Sequence, residues 1–205
     1  MAISPGAHFF MGGIRTDESG QTSLPGLFAC GEAVWGLHGA NRRGGNALTE
    51  CLVLGTIAGK TAAINSRSQH ATPLKPKESE ALSPNIPPVD KQLRDLSRRL
   101  KEMAWKYAGV VRTEDGIKMG MKEVERLDRQ LETNVPHAVP ERKLKQDLMS
   151  ASFILKAVLT ASLAREESRG SFNRKDFPLE DNINWQKNSC LIYDRKEGRF
   201  SLSRH

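Results

Sequence analysis

From residue 90 onward, apolar residues recur at steps of three and four. Leu93, Leu96, Leu100, Met103 and Tyr107 follow a candidate N-cap at Asp90 and predict one amphipathic helix. After Thr113, the series Ile117, Met121, Val124, Leu127 and Leu131 predicts a second. A third runs over residues 140–169 through Leu144, Leu148, Ala151, Leu155, Val158 and Leu163, with Pro140 at its start and Gly170 as its stop. Three amphipathic helices with short connections make a small antiparallel bundle. Residues 171–205 form a polar tail with one strand candidate at 190–193.

The N-terminal part has a different texture. Residues 1–65 hold most of the 17 glycines, with short apolar runs between turn residues, as in an α/β segment with functional loops. Residues 14–16 and 26–29 are candidate strands flanking the turn Asp17-Glu18-Ser19-Gly20. Leu48, Leu52, Leu54, Ile57 and Ala58 predict a buried helix over residues 46–63, with Gly55 and Gly59 permitting close backbone packing. Residues 66–88 turn to Ser, Pro, Lys and Glu and read as an exposed linker between two folding units.

Composition narrows the class. In 205 residues, 38% hydrophobic and 27% charged positions describe a soluble globular protein rather than a disordered chain or a membrane bundle. No uncharged run reaches the ~20 residues of a bilayer span, so no membrane-spanning helix is expected. The start lacks a basic n-region and an apolar h-region, which leaves the cytoplasm as the expected location, with a membrane reached only through partner subunits. Cys30, Cys51 and Cys190 are odd in number and widely spaced, which argues against a disulfide framework or a structural zinc site, and no metal is expected. The net charge of +7 suits nucleic acid, anionic lipid, an acidic subunit or an anionic substrate. Sparse aromatics and the lack of any recognition motif set nucleic acid aside.

Candidate chemistry gathers in two clusters, residues 8–14 (His-Phe-Phe-Met-Gly-Gly-Ile) and the run from Gly31-Glu32 through His38-Gly39-Ala40-Asn41-Arg42-Arg43-Gly44-Gly45-Asn46-Ala47-Leu48. Gly44-Gly45 lets backbone approach a ligand, and the free N–H groups of the helix that follows offer partial positive charge to an anion or a polarised carbonyl. Arg42 and His8 are donors of the kinds that grip a carboxylate, and a small dicarboxylate would fit the pair.

The ordered motifs His-aromatic-x-Met-Gly-Gly-Ile, Gly-x-Thr-x-Leu-Pro-Gly-Leu-Phe-Ala-x-Gly-Glu and His-Gly-Ala-Asn-Arg-x-Gly-Gly-Asn resemble the C-terminal part of the flavoprotein subunit of succinate dehydrogenases and fumarate reductases, with L-aspartate oxidases as close relatives. The resemblance continues through Arg165-Glu166-Glu167-Ser168-Arg169-Gly170, Arg174-Lys175-Asp176-Phe177-Pro178 and residues 181–185. It implies that His8 and Arg42 bind a substrate carboxylate and that Glu32 hydrogen-bonds FAD near its ribityl or ribose portion. Gly12 and Gly13 would leave room beside the isoalloxazine, and Asn46, Ala47 and Leu48 would lie at the flavin's pyrimidine edge. A helix N-terminus there stabilises the negative charge of reduced flavin near N1 and C2=O. Departures touch substrate preference: Arg43 stands for the usual Leu or Met, Ala47 for Ser and Phe172 for His, and the stretch from Glu32 to His38 is one residue short.

No Gly-x-Gly-x-x-Gly occurs for an FAD pyrophosphate. The expected fold is therefore an α/β remnant of an FAD-binding, Rossmann-like domain (residues 1–65), the linker (66–88), an all-α three-helix bundle (89–170) and the tail (171–205). The expected function is the C-terminal portion of an FAD-dependent oxidoreductase acting on a C4 dicarboxylate, inactive without its N-terminal flavoprotein part. An L-aspartate oxidase-type part is the alternative, as is a noncatalytic module docking an iron–sulfur subunit through the bundle. The Glu166 to Gly170 run is expected to end the third helix and to tie the bundle to the flavin domain through Arg169.

Overall fold

The computed structural model describes residues 8–68 and 90–204. The protein is mostly helical with a little sheet, and it divides into two compact units, Met1–Ser79 and Glu80–His205.

In the first unit, the glycine-rich chain holds single backbone bridges, Ile14 with Val34, Thr16 with Thr22 and Gln21 with Phe28, rather than the strands expected over residues 14–16 and 26–29. Each apolar run there is too short to extend a ladder beyond one pair. Between the first two bridges, the Asp17 carboxylate accepts the N–H groups of Ser19 and Gln21 and the Ser19 hydroxyl, which folds the turn. A 3-10 turn, Gly31–Ala33, follows, and then helix α1, Asn46–Ser68. The helix extends five residues beyond the expected 63 and three into the expected linker. The rest of that linker lies outside the described residues. Ala58 is buried, but Leu48, Leu52, Ile57 and Ile64 are exposed, so within this chain an apolar face of α1 stays uncovered.

In the second unit, α2 (Lys91–Ala108), α3 (Glu114–Thr133) and α4 (Val139–Ala164) share one core. Leu93, Leu96, Leu100, Met103 and Tyr107 of α2 are all buried, as are Ile117, Val124, Leu127 and Leu131 of α3. From α4 the core takes Leu148, Leu155 and Leu159, while Ala151, assigned to the apolar stripe from its spacing, is exposed. Gly120 lets α3 come close to α2: a Cβ there would sit 2.7 Å from the Tyr107 Cβ.

Polar groups hold the helix ends. The Thr113 Oγ1 accepts the Gly116 N–H at the start of α3. Glu141 is buried at the start of α4, where one carboxylate oxygen accepts the N–H groups of His137 and Ala138 and the other accepts that of Asp90, so one side chain joins the beginnings of α4 and α2. Asp90 is thus held through its backbone; its side chain makes no capping bond.

The short strands β1 (Val111–Arg112) and β2 (Asn173–Arg174) pair in parallel. A four-residue helix, α5 (Asn182–Trp185), begins at Asp181, whose carboxylate caps it. The tail then folds as an antiparallel hairpin of β3 (Ser189–Asp194) and β4 (Arg199–Arg204) in register Ser189 to Arg204. Phe153 of α4 meets Tyr193 and Phe200 of this hairpin at ring-centroid distances of 4.8 and 5.1 Å. The buried Trp185 ring carries the Arg165 and Arg204 guanidiniums at 5.1 and 4.0 Å.

Helix α4 stops at Ala164, five residues before the expected end. The Arg174 guanidinium takes the terminal carbonyls of Ser162, Leu163 and Arg165 at 2.5, 3.2 and 3.0 Å, supplying donors that another helical turn would have provided. By length and composition alone, α1 and α4 are each apolar enough to cross a membrane, contrary to the expectation of no such segment. Of the apolar residues of α4, Leu148, Leu155 and Leu159 lie in the shared core, while Met149 and Ile154 are exposed.

Candidate functional site

The parallel bridge between Ile14 and Val34 sets the frame of the first unit. Ile14 N–H donates to Ala33 O at 2.8 Å and Trp35 N–H returns to Ile14 O at 3.2 Å. The two backbones approach so closely at Gly13 that a Cβ there would lie 2.4 Å from Ala33 O. Packing within the chain is thus itself a reason for glycine at position 13. At Gly12 a Cβ would meet only the movable Phe10 ring, at 3.3 Å. Glu32 reaches across the same seam, its Oε1 accepting the Phe10 N–H at 2.8 Å. One of its carboxylate oxygens therefore already fixes the segment that begins at His8.

That seam delivers His8 to Arg42, 34 positions away: Arg42 Nη2 lies 2.6 Å from His8 Nε2. A guanidinium can only donate, so His8 Nε2 accepts and its Nδ1–H is left to point elsewhere. The Arg42 guanidinium carbon sits 4.7 Å from the centre of the Phe9 ring. Arg42 Nε is buried and has no hydrogen-bond partner among the described residues. Behind Phe9 stands His38, edge-on at 5.2 Å and 82°. His38 Nε2 is in turn 2.7 Å from Glu50 Oε2.

Asn46, Ala47 and Leu48 make the first turn of α1, directly after Gly44 and Gly45. Gly45 has φ +86, a left-handed conformation that side chains resist, and Cβ atoms at Gly44 or Gly45 would meet nothing within 4 Å. This turn carries no acidic residue, and Leu48 is 75% exposed beside it. A helix N-terminus left open in this way can donate to an electron-rich group. Of the residues singled out from sequence, His8 and Arg42 touch. Glu32, Gly12 and Gly13 line the seam that holds them, and Asn46, Ala47 and Leu48 form the helix start. Phe9, His38 and Glu50 were given no role from sequence. The available signal was Glu50 itself, a carboxylate set in the apolar series of α1.

The second pair of motifs, residues 165–170 and 174–178, builds a polar knot within its own unit. Arg174, fully buried, forks onto Asp176 with both contacts at 2.8 Å. That fork, against a lesser opposing effect of burial, holds the Asp176 carboxyl down to about 2. Glu167 is fully buried between Arg165 and Arg169 and also accepts the Asp181 N–H at 3.0 Å. Burial alone would raise its pKa, but these donors together hold it below the ordinary value. Arg169 spends its guanidinium on Glu167, Asn182 and Glu180. Burial, and then the nearby Arg174 charge, lowers the Arg112 pKa. Arg112 closes the end of α2 by donating to Ala108 O at 2.7 Å. These groups join helix ends to loops and need no substrate to explain them. Among the described residues, no group of three or more His, Cys, Asp or Glu side chains is placed to hold a metal ion.

Comparison with known proteins follows the same division. Residues 97–205 match the family model described as fumarate reductase flavoprotein C-term, and residues 1–48 match that of an FAD binding domain. The chain is 35% identical over 211 residues to a fumarate reductase (CoM/CoB) subunit from Methanothermobacter marburgensis, a match covering 98% of this chain and 38% of that protein. It is 37% identical over 182 residues to an L-aspartate oxidase of Caulobacter vibrioides, covering 88% of this chain and 30% of the oxidase. In structure it resembles a chain of the Sdh1 complex of Mycobacterium smegmatis in the apo form, with a TM-score of 0.75 and 30% identity over 96% of this chain and 36% of that one. The chain thus spans about a third of the length of the proteins it matches.

Proposed function

Since the chain belongs to the fumarate reductase flavoprotein family, whose members are FAD-dependent oxidoreductases, we propose that it is the C-terminal portion of such an enzyme, with the Arg42–His8 pair as the clamp for one carboxylate of a C4 dicarboxylate. The observation that carries this reading is the pair itself: an arginine and a histidine 34 residues apart meet at 2.6 Å, and the arginine keeps a buried Nε–H without a partner among the described residues. A carboxylate brought to the pair would accept from Arg42 Nε and from His8 Nδ1–H.

The residues present also fit FAD. The open space over Gly44 and Gly45 and the exposed Leu48 leave a face for a flat ring, and the α1 N-terminus offers donors to its pyrimidine edge. Glu32, with one oxygen held by Phe10 N–H, would accept from a ribityl or ribose hydroxyl through the other. Bound flavin would supply a reversible hydride acceptor. The chain's own residues would orient the dicarboxylate against it, and closing the clamp would exclude water from the Arg42 guanidinium. The proton donor would come from a flavoprotein region outside this chain, and that region would also cover the exposed apolar side of α1.

An iron–sulfur subunit is the natural electron partner in this reading. Helix α2 offers it one exposed stripe of Arg94, Arg98, Lys101 and Trp105, suited to an acidic surface. The complex would work in the cytoplasm or against a membrane through that partner. The test is to combine the chain with a polypeptide bearing the remaining flavoprotein regions and to follow FAD retention and fumarate-dependent oxidation of a reduced dye. Arg42→Ala should then lower kcat/KM by the equivalent of about 3 kcal/mol, the order expected for a charge-assisted contact whose partner is left unpaired. Unchanged kcat/KM in that variant would exclude the clamp.

A further inference from the structure

We propose that Glu50 and His38 are positioning residues for the Arg42–His8 pair, acting through the Phe9 ring; the inference rests on reading that pair as a carboxylate clamp. Glu50 lies one turn into α1, and its side chain is 1% exposed. A carboxylate taken out of water needs a donor, and His38, itself 4% exposed at the side chain, supplies one at 2.7 Å. The carboxylate oxygen has only lone pairs to offer, so the His38 Nε2–H donates, which fixes both the tautomer and the plane of the ring.

The fixed imidazole then sets its neighbour. His38 and Phe9 meet at 82° and 5.2 Å, the edge-to-face arrangement in which the positive rim of one ring faces the negative face of the other. Phe9 in turn carries the Arg42 guanidinium at 4.7 Å, attracting the cation to its π-face. Arg42 Nη2 holds His8 at 2.6 Å and leaves Nε without a partner among the described residues. Each contact restrains the next by orientation: a carboxylate fixes an imidazole, the imidazole braces a phenyl ring, and the ring aims a guanidinium. Helix α1 therefore contributes to the clamp from a side chain that never touches the ligand.

The experiment uses the 205-residue chain, labelled with 15N and combined with FAD and the polypeptide bearing the remaining flavoprotein regions, with succinate as the probe. The Arg42 Nε–Hε resonance reports the ring above it, and its succinate titration reports the clamp. Glu50→Leu, which strands the His38 ring, should displace that resonance and weaken succinate binding about tenfold, in the range of one lost buried hydrogen bond. Glu50→Gln keeps an acceptor for His38 and should restore binding to within about twofold, a rescue that loss of packing alone would not produce. Phe9→Leu keeps the apolar bulk but removes the π-face and should weaken binding about fivefold. It serves as the independent variant if Glu50→Leu loses the helical circular dichroism of the wild type.

Unchanged succinate affinity in both Phe9→Leu and Glu50→Leu, alongside its loss in Arg42→Ala, would overturn the positioning role and leave the clamp standing. Retention of succinate binding by Arg42→Ala, or no saturable response in the wild type, would overturn the clamp and the positioning role with it.

Discussion

Replacing Arg174 by methionine should destabilise the Glu80–His205 unit by about 3 kcal/mol, the low end of the range for removing one member of a buried ion pair. The side chain is fully buried and makes two kinds of contact: a fork onto Asp176, and a fan of bonds to the carbonyls of Ser162, Leu163 and Arg165. Methionine matches much of the stem but satisfies neither. The carbonyls at the end of α4 would then be buried without donors, a cost of ~1–3 kcal/mol for such a group. Asp176 has a side chain 28% exposed and keeps the Glu114 N–H at 2.8 Å, so it recovers part of its solvation, which favours the low end. Urea unfolding of the full chain, followed by Trp185 fluorescence and helical circular dichroism, measures the loss as a lower midpoint at unchanged m-value. On heating, the same loss should appear as a fall of about 10 °C in the midpoint. A change below about 1 kcal/mol with the m-value preserved would refute the view that this guanidinium, rather than local helix propensity, ends α4.

The Asp176 pKa is held at about 2 in the folded chain against 3.8 as its ordinary value, so its contribution is fully present above pH 3.8 and is lost as pH falls through 2. Discounted for partial exposure, that contribution is about 1 kcal/mol, and this acid-dependent loss, seen as the difference in unfolding free energy between pH 5 and pH 2, should disappear in Asp176→Asn. Gly120→Ala puts a Cβ 2.7 Å from the Tyr107 Cβ and should cost about 1–3 kcal/mol as α2 and α3 are pushed apart, measured by the same urea titration. Gly13→Ala drives a methyl group against Ala33 O and should break the Ile14–Val34 bridge, so that the Arg42 Nε–Hε resonance loses its Phe9 ring shift while the second unit unfolds as before.

The core of the second unit was legible because its signal is local and repeated. Leu93, Leu96, Leu100, Met103 and Tyr107 each sit on one stripe, and burying that stripe requires only that other stripes exist to meet it. The end of α4 was not legible for the opposite reason. Nothing in residues 160–169 forbids another turn; the stop comes from Arg174, whose guanidinium folds back onto carbonyls that a longer helix would have used internally. The second tail strand, β4, did carry a local sign in the alternation of Phe200 and Leu202 with polar neighbours, but a polar background masks a period of two over six residues.

Site residues split along the same line. His8 and Arg42 are 34 positions apart and no periodicity joins them. Only the ordered motifs around them suggested a shared ligand, and their contact depends on a seam whose closeness is set by the missing side chain of Gly13. Glu50 could have been suspected from local chemistry, since an acid within the apolar series of α1 must either face water or find a donor. The fold chooses the donor, and the donor is His38, twelve positions earlier in the chain. Phe9 then makes the connection physical: it is the residue next to His8 in sequence, yet it meets both His38 and Arg42 through space. A charge buried to hold an imidazole, an imidazole turned toward a ring and a ring placed under a guanidinium explain why a carboxylate on α1 can govern the aim of an arginine that precedes the helix, although the two side chains share no direct bond.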